Sequence, residues 1–332
     1  MSRYAQIVGV GSYLPEQVMT NADFEAVIDT SDEWIRTRTG IRERRVVAEG
    51  ETTSDLAARA GNRALSGAGV APEEVDLLVV GTTSPDYVFP STACVTQAKL
   101  GLSCPAFDVM AACTSFIYAL HSAASAIEAG RADTALVIGA EALTRFIDFD
   151  DRSTCVLFGD GAGAVVLRAA DEAGVESIVL GADGTGEDML KVPAGGAATP
   201  ITHDLLDARE QFLKMAGNEV FKFAVRVIPR VTNEALAAAD HAVSDLRWLI
   251  PHQANKRIID TVEERLGLDD ERVYCNLEWT GNTSAASIPL ALDDLYTSGR
   301  LSPGDLLALV GFGAGLTWGA AVVRWTMPNG KE

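Results

Sequence analysis

Residues 107–121, Phe-Asp-Val-Met-Ala-Ala-Cys-Thr-Ser-Phe-Ile-Tyr-Ala-Leu-His, decide how this chain folds. A strand-like apolar run ends here and a helix-like one begins, with Cys113 at the junction. A thiol at a helix N-terminus faces unpaired N–H groups and the positive end of the helix dipole, which favour thiolate. A cysteine in an apolar run is otherwise a small buried hydrophobe. The surrounding sequence has to choose between these readings.

Working outward, 5–10, 75–81 and 132–139 read as buried strands, and 53–69 and 92–101 carry helical spacing. The first half closes on Phe158–Leu167, and then the plan repeats. Ala64-Leu…Val75-Asp-Leu-Leu-Val matches Ala235-Leu…Leu246-Arg-Trp-Leu-Ile, and the Gly-Arg…Ala-Leu-Val-Ile run at 130–138 matches 299–310. Gly161–Arg168 likewise matches Trp318–Arg324. An offset of about 170 residues predicts a duplicated αβ domain, not an array of short repeats. The expected division lies near Asp171–Gly174, giving halves 1–173 and 174–332. The register sets Cys113 and the segment Gly281-Asn-Thr-Ser-Ala-Ala-Ser287 at equivalent points, each ahead of an apolar helix. Pseudo-twofold symmetry then makes Asn282 the mate of Cys113 at one central site.

Composition narrows the function classes. The chain has 332 residues, 48% of them hydrophobic, and a formal net charge of −19. That charge repels nucleic acid and anionic membranes, and no apolar run reaches spanning length. Met-Ser-Arg-Tyr-Ala-Gln-Ile-Val, at the start, lacks the charged and apolar regions of a signal peptide. Five scattered cysteines (94, 104, 113, 155, 275) and four isolated histidines lack metal-ligand spacing. They predict a reduced, cytoplasmic protein without a metal centre.

Two further segments carry polar chemistry. Trp34-Ile-Arg-Thr-Arg-Thr-Gly-Ile-Arg-Glu-Arg-Arg45 holds five arginines. It is either a solvated charged face or a site for a phosphate-rich ligand, with Trp34 offering a ring to a base. Just before it, Asn21 and Thr30-Ser-Asp32 offer helix caps around the apolar positions of 24–35. In Trp248-Leu-Ile-Pro-His-Gln-Ala-Asn-Lys-Arg257 a strand ends at Pro251 and presents His252 before a helix, where α/β folds place chemistry. A structural histidine, a capping Asn255 and a turn-holding Asn282 are the plainer alternatives.

Taken together, these segments resemble the β-ketoacyl-acyl-carrier-protein synthase III family. The resemblance runs from about residue 4 to 326 and rests on Gly-Ser-Tyr-Leu-Pro (11–15), Thr-Ser-Asp-Glu-Trp-Ile (30–35), Thr-Arg-Thr-Gly-Ile-Arg (37–42) and Ala-Ala-Cys (111–113). It continues through Phe-Gly-Asp-Gly-Ala-Gly (158–163), Met-Ala-Gly-Asn-Glu-Val-Phe-Lys (215–222), Pro-His-Gln-Ala-Asn (251–255) and Gly-Asn-Thr-Ser-Ala-Ala-Ser (281–287). It implies an α/β thiolase-like fold of two pseudo-symmetric halves in five layers, αβαβα. It also implies a cytoplasmic homodimer without a cofactor, whose substrates are an acyl-CoA and a malonyl acyl carrier protein. The implied reaction is a decarboxylative condensation that begins fatty acid synthesis, with acetyl the expected primer.

The resemblance assigns residues one by one. Cys113, His252 and Asn282 become the catalytic set, with the backbone N–H groups of Cys113 and Ala314 as oxyanion hole. Trp34 and Arg152 look like the pair that sandwiches the CoA adenine, Arg38 and Thr39 like nucleotide contacts, and Gly217, Phe221 and Asn255 like pantetheine-tunnel positions. Phe89 resembles a residue that reaches across the dimer to floor the acyl pocket. Lys214, Lys222, Arg226, Arg230, Lys256 and Arg257 form the expected carrier-protein docking patch. Lys222, Arg226 and Arg230 share one helical face if the helix survives Pro229. Three positions depart from the family pattern: Ala314 inside a glycine run, Ser153 after Arg152, and Glu264 beside Arg265. An alanine would be strained if position 314 needs φ > 0. The rival readings are a quinolone- or polyketide-type condensing enzyme, a Cys-His-Asn hydrolase, and a catalytically silent acyl-CoA-binding scaffold.

Overall fold

Thr134–Glu141 and Leu306–Gly313 are eight-residue strands in which every residue is buried, as expected of strands covered on both faces. In the computed structural model, which describes residues 3–330, each of these strands lies inside one of two main sheets. The first sheet runs in the order Tyr4–Tyr13, Gly161–Ala170, Thr134–Glu141, Leu77–Gly81, Ala106–Val109. The second runs Val175–Gly181, Thr317–Arg324, Leu306–Gly313, Trp248–Pro251. Both all-buried strands pair parallel with one neighbour and antiparallel with the other. The second sheet has only an isolated parallel bridge, Leu249–Val273, where the first has its fifth strand.

Side-chain alternation then sets the layers. Val79 and Val137 point inward, to a core shared with Phe116, Ile117 and Leu120 of the helix Ser115–Glu128 and with Ile288, Leu292 and Leu295 of the helix Ser287–Thr297. Ile250, Leu309 and Val323 of the second sheet close that core from the other side. Leu78, Val80, Leu136 and Ile138 point outward, onto Leu56, Ala57, Ala60 and Ala64 of the helix Thr53–Ala68. Leu249, Ala308, Val310 and Val322 are covered by the helices Gly217–Ala238 and Lys256–Leu266. Two central helices, two sheets and two outer helical layers make the expected αβαβα order. Among the described residues no helix is long and apolar enough to cross a membrane.

Two local expectations change, and one condition is met. Residues 21–39 form two short helices, Asn21–Glu25 and Asp32–Thr39. Ser31 caps the second by accepting Trp34 N–H at 3.1 Å, whereas Asn21 is buried and donates to Asp32 and Ile41 O. The helix Gly217–Ala238 runs on through Pro229. A proline leaves the carbonyl four residues earlier without its helical donor, and here Arg265 donates to that carbonyl, Val225 O, at 2.8 Å. Finally, the two central helices are each entered through a 3₁₀ turn, 112–114 and 284–286. Matching Ser115 with Ser287 pairs Cys113 with Ala285, so the structural mate of Cys113 is not Asn282.

Candidate active site

Cys113 sits in the turn that starts the cysteine helix, 8% exposed. Ala112 before it adopts φ 51°, a conformation that costs a non-glycine residue energy. The Ser284 hydroxyl donates to Cys113 Sγ at 3.4 Å. Burial nevertheless pushes the thiol up to about 12, with the Glu141 carboxylate adding to the rise and Ser284 opposing it. The thiolate expected from the helix terminus therefore does not come without help.

His252 follows the strand Trp248–Pro251, and its N–H donates to Val310 O at 2.7 Å, carrying the pairing one residue beyond the strand. Its ring lies edge-on to Phe312, with centroids 5.5 Å apart. Burial alone pulls its pKa down to about 3, so the imidazole is neutral at physiological pH. Ser287 Oγ lies 2.7 Å from His252 Nδ1 and accepts Gln253 N–H at 3.4 Å. In the tautomer in which the serine O–H donates to Nδ1, the ring proton resides on Nε2.

Asn282 is held by main chain on both sides. Its N–H donates to Leu157 O at 2.9 Å, and its carbonyl accepts Gly159 N–H at 3.0 Å. Its Oδ1 accepts Ser284 N–H at 2.9 Å, which leaves Nδ2 as the end free for a ligand. The 156–159 segment is in turn fixed by Arg44, which is fully buried and donates to Val156 O at 2.6 Å.

These three residues open into one cavity of about 380 Å³, together with Trp34, Arg38, Thr39, Gly217, Phe221, Asn255 and Arg257. Trp34, Arg38 and Arg257 lie at its more exposed end. Thr39 lines it by packing only, because its hydroxyl donates to Ile35 O and accepts Ile41 N–H. Asn255 does two things: its side chain caps the helix Lys256–Leu266 by accepting Arg257 N–H, and it lines the cavity. The Arg152 guanidinium stacks directly on Trp34, 4.8 Å from the ring centroid. That is the spacing of one stacked contact, so Arg152 must swing aside for a base to enter between them. Ser153 also faces the cavity, its hydroxyl on Asp151 at 2.6 Å.

The arginine run divides. Arg36 and Arg42 pair with Asp32 and Glu278, Arg44 is a buried clamp, and only Arg38 of the five lines the cavity. Phe89 is 84% exposed and outside the cavity of its own chain. Ala314 is not among the residues with positive φ. That conformation falls on Gly315 at 71° and Leu316 at 44°, so the alanine is accommodated. Sequence reasoning missed Glu141, Ser284 and Ser287; the last two lie inside a quoted motif of which only Asn282 was given a role.

A cysteine at a helix start, a neutral histidine at a strand end and an asparagine from the second half, converging inside a duplicated αβαβα fold, define a thiolase-fold acyltransferase. Comparisons with known proteins refine the class. The family model for 3-oxoacyl-[acyl-carrier-protein] synthase III matches residues 107–184, and the model for its C-terminal part matches 236–325. The beta-ketoacyl-[acyl-carrier-protein] synthase III of Xanthomonas campestris pv. campestris is 52% identical over 97% of this chain and 98% of its own. The solved synthase III of Thermus thermophilus superposes with a TM-score of 0.90 at 51% identity, covering 96% of this chain and 99% of that one. A priming β-ketosynthase of the R1128 polyketide pathway superposes with a TM-score of 0.93 at 39% identity, covering 98% of each. The chain belongs to the 3-oxoacyl-[acyl-carrier-protein] synthase III family.

Proposed function

We propose that this protein condenses a short acyl-CoA, acetyl-CoA first among them, with malonyl acyl carrier protein to begin fatty acid synthesis. The observation that carries the reading is the opening of Cys113, His252 and Asn282 into a single cavity. Cys113 attacks the acyl-CoA thioester, and exchange of one thioester for another keeps the acyl group activated. The carrier-protein arm then brings malonate to the same cavity. Loss of CO₂ places negative charge on the malonyl thioester oxygen, which His252 Nε2–H and Asn282 Nδ2–H stabilise. Each such donor is worth about 2.7–4 kcal/mol when preorganised out of water. The resulting carbanion attacks acyl-Cys113, and the N–H groups of Cys113 and Ala314 hold the tetrahedral oxyanion. No resident cofactor enters these steps, since CoA and phosphopantetheine are substrates.

Trp34, Arg38, Thr39 and Arg152 serve the nucleotide end of CoA, and Gly217, Phe221 and Asn255 the pantetheine. Lys222, Arg226 and Arg230 project from one exposed face of an unbroken helix, which supports their role in docking an acidic carrier protein. Lys222, Arg230 and Lys256 each face an acid on their own helix, which leaves Lys214, Arg226 and Arg257 as the stronger members. The exposed run Tyr87-Val-Phe89 with Met110 fits a homodimer in which Phe89 floors the partner's acyl pocket. We place the division between the halves at Asp171–Gly174, the nucleophile in 1–173 and the two donors in 174–332. Five free thiols suit a reducing cytoplasm.

The hydrolase reading is weaker, because Cys113 Sγ takes its hydrogen bond from Ser284 and His252 Nδ1 faces Ser287. A two-stage assay tests the proposal. Radiolabelled acetyl-CoA labels Cys113, and malonyl acyl carrier protein then discharges the label into a β-ketoacyl product. His252→Ala and Asn282→Ala take the label and fail to discharge it, slowed by about 10²–10³. Rapid discharge in either variant removes these roles, and steady release of free acetate would mark a hydrolase. A polyketide priming role, which the R1128 neighbour brings forward, would show as preference for a primer other than acetyl.

A further inference from the structure

Glu141 stands beside the nucleophile and has no part in the steps above. It ends the strand Thr134–Glu141 and is 0% exposed. Its carboxylate accepts from Thr83 N–H and Oγ1–H, Ser84 N–H and Oγ–H, Thr82 Oγ1–H, and Ala285 N–H at 3.4 Å. So many donors favour the ionised form, whereas burial favours the protonated one and raises its pKa overall. The Ser284 hydroxyl reaches Cys113 Sγ at 3.4 Å and also bears on the Glu141 carboxylate. A φ of 47° at Ser284 and its N–H bond to Asn282 Oδ1 fix the backbone there, and the next N–H along, from Ala285, donates to Glu141.

We propose that Glu141 is the proton acceptor for the Cys113 thiol, with the Ser284 hydroxyl passing the proton between them. The inference rests on Cys113 being the acylated nucleophile. At rest the Ser284 hydroxyl donates to Sγ; for transfer it turns its proton to the Glu141 carboxylate, and the Sγ–H bond breaks as Ser284 Oγ takes the thiol proton and gives its own to that carboxylate. The thiolate then attacks the acyl-CoA carbonyl, and the C–S bond to CoA breaks. The departing CoA thiolate recovers the proton from Glu141 by the reverse path. A thiol and a thioester become a thioester and a thiol, with no change in redox state.

Electrostatics favours this route over loss of the proton to water. A thiolate beside ionised Glu141 would put two anions in one dry pocket, which is why the carboxylate raises the thiol. Transfer between the two keeps the buried charge at one. The other titratable group at the cavity floor is His252, whose buried imidazole is a poor base at neutral pH and whose Nδ1 is engaged with Ser287.

The test is the rate of Cys113 labelling by acetyl-CoA, followed from about pH 6 to about pH 9.5. Internal transfer makes the wild-type rate nearly independent of pH across this range. Glu141→Gln and Ser284→Gly break the relay; glycine suits the backbone at 284 while removing the hydroxyl. Both variants should label at least about tenfold more slowly at neutral pH and recover about tenfold per pH unit, as bulk hydroxide replaces the internal base. Wild-type rates in either variant overturn the relay, and so does a loss that is the same at every pH, which marks a structural role. Should Glu141→Gln fail to fold, Ser284→Gly decides alone. If the wild type itself takes no label, the assignment of Cys113 falls first and the relay with it.

Discussion

The turn 112–114 leads into the helix Ser115–Glu128, and the turn 284–286 leads into the helix Ser287–Thr297. Each begins with a non-glycine residue in the left-handed region, Ala112 at 51° and Ser284 at 47°. Their surroundings differ at one position. Against Cys113 lies Gly313, the last residue of its strand, so close that a Cβ there would stand 2.6 Å from Cys113 N. Against Ala285, the mate of Cys113, lies Glu141, the last residue of the matching strand, whose carboxylate accepts the Ala285 N–H. Duplication supplied two helix N-termini. A glycine leaves one N–H open, where the proposed reaction sets its oxyanion, and a carboxylate closes the other.

The comparison breaks most directly at the nucleophile. Cys113→Ala should abolish acyl labelling and lower condensation by at least about 10³, read by intact mass and product formation. If label still arrived, the open half would not be the reactive one. Next comes Gly313→Ala, which places a methyl against the Cys113 N–H. We expect acylation to fall about 10² by loss of one oxyanion donor, with thermal stability lowered by about 1–3 kcal/mol of overpacking. A fully active Gly313→Ala would show that this glycine does not keep the site open.

The two halves were legible because strands buried on both faces leave continuous apolar runs, and both copies kept them at 132–139 and 306–310. Cys113, His252 and Asn282 were legible because each follows or precedes such a run at a motif. The repeat register sets Asn282 opposite Cys113 because the conspicuous segment begins three residues ahead of the turn 284–286. Glu141 escaped notice because its partners are hydroxyls and amides from 82–84 and 284–285, far from it in sequence. Ser287 was overlooked because a serine entering a helix also reads as a cap. Arg44 reads in sequence like its surface neighbours, and its burial under Gly159 and Gly281 comes from contacts far along the chain.

A smaller effect tests the proposed division, in which the second half donates and the first attacks. Ser287→Ala removes the hydroxyl that fixes His252 Nδ1, so the imidazole loses its fixed tautomer and orientation. Discharge of acyl-enzyme by malonyl carrier protein should slow about tenfold, with labelling by acetyl-CoA unchanged. Equal loss in both half-reactions would show general damage instead. His252 also leaves a stability signature. Its folded pKa is about 3 against 6.5 unperturbed, so below pH 6.5 the unfolded chain takes up a proton that the native state refuses. The stability it contributes is whole above pH 6.5 and is lost as pH falls towards 3, by up to about 1.4 kcal/mol per pH unit. His252→Gln should lack that slope in denaturant titrations; an identical slope would mean the buried ring is protonated.

The smallest effect lies on the outer surface, where the basic face belongs to the second half. Arg226 and Arg257 are exposed on the helices Gly217–Ala238 and Lys256–Leu266, and Arg257 lies over Phe221 at the cavity rim. Exposed charges of this kind steer an acidic partner and add little once it is bound. Arg226→Glu with Arg257→Glu should therefore raise KM for malonyl carrier protein several-fold, most strongly at low ionic strength where screening is weakest. Lys222→Glu alone should do less, because Glu219 already lies 2.8 Å from its ammonium. Acylation should keep its kcat, since neither arginine touches Cys113. Its KM for acyl-CoA should rise only in the variant carrying Arg257→Glu, because that side chain also lines the cavity. If Lys222→Glu proved as damaging as the double variant, the landing site would centre on the helix face and not on the rim.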